Sequence, residues 1–128
     1  MTEIIVEESC GNSPRKQFLK EFYVALGEED HENILSRMTD DVRWTIVGEM
    51  TVESKEHVTE LIEEMLEEAY DEIRVDNIIT HGYTAAANGH TTFANGTTFA
   101  FCEVFTFDGA TKTADIEAID SYVIELED

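Results

Sequence analysis

The segment 99–107, FAFCEVFTF, holds the residues of this chain best placed to do chemistry. Side chains of a β-strand alternate between faces, so Phe99, Phe101, Glu103, Phe105 and Phe107 share one face. Glu103 is then a carboxylate set among phenylalanines. Burying an unpaired charge there is costly, so the acid must find a partner or hold its proton. The plainer reading is a sheet edge or a face wet enough to solvate the carboxylate, since structural acids are common.

Candidate partners come from the strands on either side. Asn95-Gly96 is a two-residue hairpin signal. With that turn Ala94 faces Thr97, which puts Asn88 opposite Glu103 and His90 opposite Phe101. Direct and diagonal neighbours on one face can touch, so Asn88 and His90 are both within reach of Glu103. An imidazole–carboxylate pair moves protons near neutral pH. The ordinary alternative is a structural or solvent-facing His90. The last strand adds Asp120, on a face with Ile116, Ala118, Tyr122 and Ile124. A tight turn at Asp108-Gly109 pairs Phe107 with Lys112, Glu103 with Ile116 and Phe99 with Asp120. The two acids then stand on the order of 13 Å apart along the strands. That is too far to share a proton; Asp120 either brackets a ligand from the far end or sits at an open rim.

These side chains need elements to hold them. Ser13-Pro14 opens a helix. Phe18, Leu19, Phe22, Tyr23 and Leu26 recur along it at helical spacing, and Gly27 suits its exit. Asp30 caps a short second helix carrying Ile34, Leu35 and Met38, which Asp40-Asp41 breaks. Val42, Trp44 and Ile46 alternate with polar residues in a first strand that Gly48 ends. The spacing predicts a third helix over 53–69. Its stripe is Val58, Leu61, Ile62, Met65, Leu66 and Ala69, and Glu56, Glu60, Glu63, Glu64, Glu67 and Glu68 take the other faces. Strands follow at 72–81, 83–94, 97–107 and 112–126. Helix, helix, strand, helix and then four hairpin-linked strands make an α+β fold with an antiparallel sheet. Residues 1–12 read as an irregular N-terminal extension, and 13–128 as one domain.

Composition narrows the function classes. The net charge is −21, from 29 acidic and 8 basic residues. Such a field repels phosphate backbones and anionic lipids, which argues against nucleic-acid and membrane partners. It also predicts a melting temperature that rises with salt, as screening relieves self-repulsion. No apolar run approaches the roughly 18 residues of a membrane span. The acidic start at Glu3, Glu7 and Glu8 is unlike a secretion signal, so a cytoplasmic location is expected by default. Cys10 and Cys102 are too few for a disulfide scaffold, and Cys102, in an apolar strand, reads as a buried thiol. No phosphate-binding glycine loop, zinc spacing or nucleophile elbow occurs, and no cofactor or metal is expected. His31, His57 and His81 share no ligand geometry, and the glutamates of residues 60–68 read as a solvated helix face.

The layout resembles the nuclear transport factor 2-like (NTF2-like) superfamily, which includes ketosteroid isomerases and SnoaL-like polyketide cyclases. FYVALGEEDHENILSRMTDDVRWTIVG and NGTTFAFCEVFTFDGATKTADIEAIDSY carry the resemblance, which spans roughly residues 14–126. It implies a cone-shaped curved antiparallel sheet wrapped against three N-terminal helices, a cystatin-like α+β barrel, and a homodimer formed through the outer sheet face. Ketosteroid isomerases use a helix-1 tyrosine and a protonated aspartic acid as oxyanion donors, and a second aspartate as base. Tyr23 matches the tyrosine, and Glu103 matches the proton-holding acid with one methylene more. The base should fall between Trp44 and Gly48, where this chain has Thr45, Ile46 and Val47. Asp120 stands at a position that is apolar in the isomerases. The resemblance also turns Asn88, His90 and Phe101 toward the pocket.

The leading expectation is therefore a domain that binds a small hydrophobic ligand among Trp44, Ile46, Asn88, Phe99, Phe101, Ile116 and Asp120. The second is an acid–base enzyme, an isomerase, hydratase or cyclase, using Tyr23, His90 and Glu103. The third is a homodimeric interaction module that presents Ala100, Val104, Thr106, Ile119 and Val123 on its outer face.

Overall fold

Pro14 opens α1 (Pro14–Gly27), and its apolar stripe buries Leu19, Phe22, Tyr23 and Leu26. The computed structural model describes residues 2–7, 13–67 and 69–127; Cys10 and Glu68 lie outside them. Asp30 caps α2 (His31–Ser36) by accepting a hydrogen bond from the Asn33 N–H at 3.2 Å. Ser54 caps α3 (Lys55–Met65) in the same way through His57. This helix is shorter at both ends than the predicted 53–69.

Seven strands form one sheet: β1 (Glu3–Val6), β2 (Met38–Ile46), β3 (Met50–Glu53), β4 (Tyr70–His81), β5 (Thr84–Phe93), β6 (Thr98–Phe107) and β7 (Ile116–Leu126). Their order is β1-β4-β5-β6-β7-β2-β3. The meander β4 to β7 is antiparallel, whereas β2 lies parallel to β7 and β1 parallel to β4. The fold is the α+β cone expected, with a curved sheet around three helices. The concave face and the helices enclose the core: Trp44, Val58, Ile62, Ile73, Phe105, Ile116 and Ile119 are all buried.

Curvature has a local cause. The β4–β5 register shifts between Val75 and Asn77, so Asp76 is an extra residue on β4. Gly89 lies across from this bulge, where a Cβ would collide with the Arg74 carbonyl oxygen. Only glycine admits so close a backbone approach at that position.

Met38, expected on the second helix, opens β2, which runs through Asp40 and Asp41. Four further sequence expectations need correction. Residues 3–6, read as part of an irregular extension, pair with β4 along Glu3↔Glu72 to Val6↔Val75. A short parallel edge strand has no hairpin to announce it. Its Ile4 fills the space left by Gly27, where a Cβ would come within 2.6 Å of Ile4 Cδ1. The second correction is β3, which returns against β2 after Gly48. The third and fourth are the two hairpins that flank β6. Phe93 N–H donates to Thr97 O at 2.9 Å, so the first loop is the three residues Ala94-Asn95-Gly96, with Gly96 at φ +92°. The second is a loop closed by Asp108 N–H to Asp115 O at 2.9 Å, and β7 begins at Ile116 instead of 112.

Candidate functional site

Glu103 faces the concave side at the middle of β6, as its alternation predicts. It is 7% exposed. Each of its oxygens accepts one hydrogen bond. The Tyr23 hydroxyl on α1 donates to Oε1 at 2.5 Å, and the Ser121 hydroxyl on β7 donates to Oε2 at 2.6 Å. The buried Trp44 indole N–H on β2 donates in turn to Ser121 Oγ at 2.9 Å. The register explains the convergence, because Ser121 lies opposite both Glu103 and Ile46. Four elements thus hold one carboxylate, and its burial is compensated by hydrogen bonds.

Electrostatics at this point follow from burial. Desolvation pushes the Glu103 carboxyl above the ordinary carboxylate range, while the bonds from Ser121 and Tyr23 pull it back part of the way. Burial, and then the nearby Glu103 charge, push the Tyr23 phenol well above its usual value. The Tyr70 phenol is raised by the same two causes. Both tyrosines are therefore neutral hydrogen-bond donors at physiological pH.

Glu103 opens on a cavity of about 260 Å³. The sheet side of its wall is aromatic. Tyr70 stacks on Phe93 at 4.8 Å between ring centroids, Phe99 meets Phe93 edge-on at 5.6 Å, and Phe101 lies 5.5 Å from Tyr23. Leu26, Leu61 and Met65 close the helix side, and Ile46, Ile73, Thr91 and Ser121 add to the lining. Glu49, Met50 and Val123 also line it and are exposed, which marks the mouth.

Not every expected residue reaches this cavity. Tyr23, Ile46, Phe99, Phe101 and Glu103 do. Trp44 is fully buried behind the cavity and acts through Ser121. Ile116 is buried in the core opposite Phe107, away from the cavity. Asn88, His90 and Asp120 are on the outer face. Their misplacement has one physical cause: a one-residue change of register reverses every side chain of a strand. The longer β5–β6 loop puts Ala87 opposite Glu103, Gly89 opposite Phe101 and Thr91 opposite Phe99. Asn88 instead accepts a bond from Asn77 at 3.0 Å, and the His90 ring lies 3.3 Å from Asp76, about half exposed. His90 therefore cannot serve the cavity as a base. The longer β6–β7 loop places Asp120 opposite Val104, and turns Ile119, Ser121 and Val123 inward. Ile119 and Val123 thus leave the expected outer face. Cys102, also on that outer face, is half-buried rather than buried.

Sequence reasoning missed Ser121, Tyr70, Thr91, Phe93 and Glu49. The signal for Ser121 was Trp44, a strand tryptophan whose N–H needs a buried acceptor. Glu49 lies just past the segment that lacks the isomerase base, on the turn between β2 and β3. Among the described residues no group of His, Cys, Asp and Glu is placed to hold a metal ion, and no helix is long and apolar enough to cross a membrane.

No curated protein matches the chain at a significant level. Solved structures do. A candidate SnoaL-like polyketide cyclase from Shewanella denitrificans OS-217 superposes with a TM-score of 0.75 at 10% identity, covering 88% of this chain and 92% of that one. A candidate ketosteroid isomerase from Kribbella flavida DSM 17836 gives 0.72 at 11% identity, covering 90% and 81%. An LEH-like epoxide hydrolase from M. tuberculosis gives 0.70 at 20% identity, covering 84% and 80%. At these identities the likeness concerns the fold. The profile of the SnoaL-like domain matches residues 19–122, a stretch from α1 to β7 that contains Tyr23, Glu103 and Ser121, and the chain belongs to this family, with an NTF2-like fold.

Proposed function

We propose that this chain binds a small, mostly apolar molecule in the cone, with one polar group of the ligand held at Glu103. One observation carries the reading: a cavity of about 260 Å³ walled by aromatic and aliphatic side chains converges on one buried carboxylate. That is the usual construction of a small-molecule site. The volume falls just short of the roughly 300–1,000 Å³ typical of drug-sized ligands, so the occupant is small. Titration of small ring compounds, followed by NMR shifts of Phe99, Phe101 and Thr91, tests the reading. Shifts confined to the outer face would defeat it.

A second reading is acid–base catalysis on a small carbonyl compound, with Glu103 and Tyr23 as donors to the developing oxyanion. It is favoured by the raised Glu103 carboxyl and its bond to Tyr23. Glu49 is then the candidate base, in place of His90. Exchange of a ketone's α-protons into heavy water is the assay, and exchange unaffected by Glu103→Gln would exclude this role. The homodimer is also carried forward, with Ala100, Val104, Thr106, Tyr122 and Ile124 as its outer face; light scattering that reports a monomer at micromolar concentration would end it.

A further inference from the structure

We propose that the ligand is a small amine with an apolar body, bound as its cation with the ammonium at Glu103. This rests on the binding reading above and adds the ligand's charge to it. Hydrogen-bond polarity is the first argument. The Tyr23 and Ser121 hydroxyl protons are both spent on Glu103, and the Trp44 N–H is spent on Ser121. What this network leaves for a ligand is the free lone pairs of the carboxylate. An ionised carboxylate only accepts, so its ligand must donate, and an ammonium brings up to three donors.

Charge is the second argument. The charged side chains lining the cavity are Glu49 at the mouth and Glu103 inside; no lysine, arginine or histidine of the described residues joins them. The chain as a whole carries −21. A cleft lined by one sign of charge concentrates ligands of the other sign and rejects carboxylates and phosphates. The walls are the third argument. The rings of Tyr70, Phe93, Phe99 and Phe101 surround the approach to Glu103. Aromatic faces attract organic cations, most strongly where water is excluded.

Energetics agree. Burial makes ionised Glu103 costly, and its two hydroxyl donors compensate only in part. A bound cation supplies the missing counter-charge, and any proton that the carboxyl holds leaves to solvent. The groups that face Glu103 from the packed elements are Tyr23 of α1, Ser121 of β7 and Tyr70 of β4, with Glu49 beyond them at the mouth. The phenols stay neutral, so the negative charge that meets a bound cation inside the cavity is that of Glu103.

The test is calorimetry on the whole chain with three probes of one shape: 2-phenylethylamine, 2-phenylethanol and 3-phenylpropionate. Glu103→Gln, checked for folding by its melt, is the variant. The expected result is an amine at least ten-fold tighter than the alcohol, no detectable carboxylate binding, and loss of that preference in Glu103→Gln. Wild-type affinity for the amine should also fall as salt rises, a measurement that stands even if the variant does not fold. Alcohol binding equal to or tighter than amine binding overturns the inference and leaves the binding reading intact. So does an amine preference that persists in folded Glu103→Gln, or one indifferent to salt. If none of the probes binds, both readings fall together.

Discussion

Strand β6 runs through two regions that its sequence does not tell apart. Phe105 and Phe107 lie at one end, and Phe99 and Phe101 at the other, all on the same face. At the first end α1 closes down on the strand. Phe22 meets Phe105 edge-on at 5.6 Å, Phe18 meets Phe107 at 5.5 Å, and the Arg15 guanidinium caps the Phe107 ring at 3.8 Å. At the second end the helices stand off, and the rings line a cavity. Glu103 sits at the border. An aromatic strand face is core or binding wall according to what the helices place over it.

The largest expected effect breaks this contrast directly. Phe105→Ala should destabilise the fold by about 3–5 kcal/mol, the usual cost of emptying a packed aromatic site. Phe99→Ala, at the half-buried cavity end, should cost less than about 1.5 kcal/mol because little buried area is lost. Denaturant unfolding of both variants measures the difference, and equal losses would mean that the cavity end is packed as tightly as the core.

The border comes next. Ser121→Ala removes a donor from Glu103 and the acceptor of the Trp44 N–H. Leaving buried polar groups unpaired should cost about 1–3 kcal/mol in the same experiment. Tryptophan fluorescence should shift as well, because Trp44 is the only tryptophan in the chain.

Glu103 itself predicts a pH signature. Its folded-state carboxyl is raised by burial, so the fold prefers the protonated form. Its contribution to stability is fully present below the ordinary carboxylate range and is lost as pH rises through the raised value. The wild type should therefore lose stability relative to Glu103→Gln as pH rises above the ordinary carboxylate range. Taking the difference between the two proteins cancels the general effect of the net charge. A difference that does not change with pH would show that Glu103 is solvated.

The smallest effect concerns the outer face. His90→Gln should alter stability by no more than about 0.5 kcal/mol, because its contact with Asp76 is half exposed. Ligand affinity should not change. A lost affinity would place His90 at the cavity after all and reverse the assigned register.

How much of the site was legible depended on how local each signal was. The β6 face was read correctly, because alternation is a property of the strand's own backbone. The stripe of α1 was legible for the same reason, at helical spacing, and its Tyr23 came with the family resemblance. The partners on β5 and β7 were read on the wrong faces, because each depended on counting through a loop. Asn95-Gly96 has the composition of a two-residue turn, but the chain turns over three residues. Asp108-Gly109 resembles a tight turn, yet Asp108 and Asp115 close a longer loop, and the Asp108 side chain accepts the Asp115 N–H at 3.0 Å. Both errors exchange one face for the other, so Asn88, His90 and Asp120 were placed inside the cone while Thr91 and Ser121 were overlooked.

The sequence by itself determined the order of elements from α1 onward except for β3, the face that Glu103 shares with its phenylalanines, and the strongly negative field around them. Each is set by neighbours along the chain or by a sum over it. Only the tertiary structure decided which strands lie beside β6 and in what register, that β2 docks parallel to β7, and that the helices leave a space over Phe99 and Phe101. Those outcomes depend on loop closure and on packing between residues far apart in sequence. The chain that runs from Trp44 through Ser121 to Glu103 and Tyr23 joins residues up to 80 positions apart, and no local pattern encodes it.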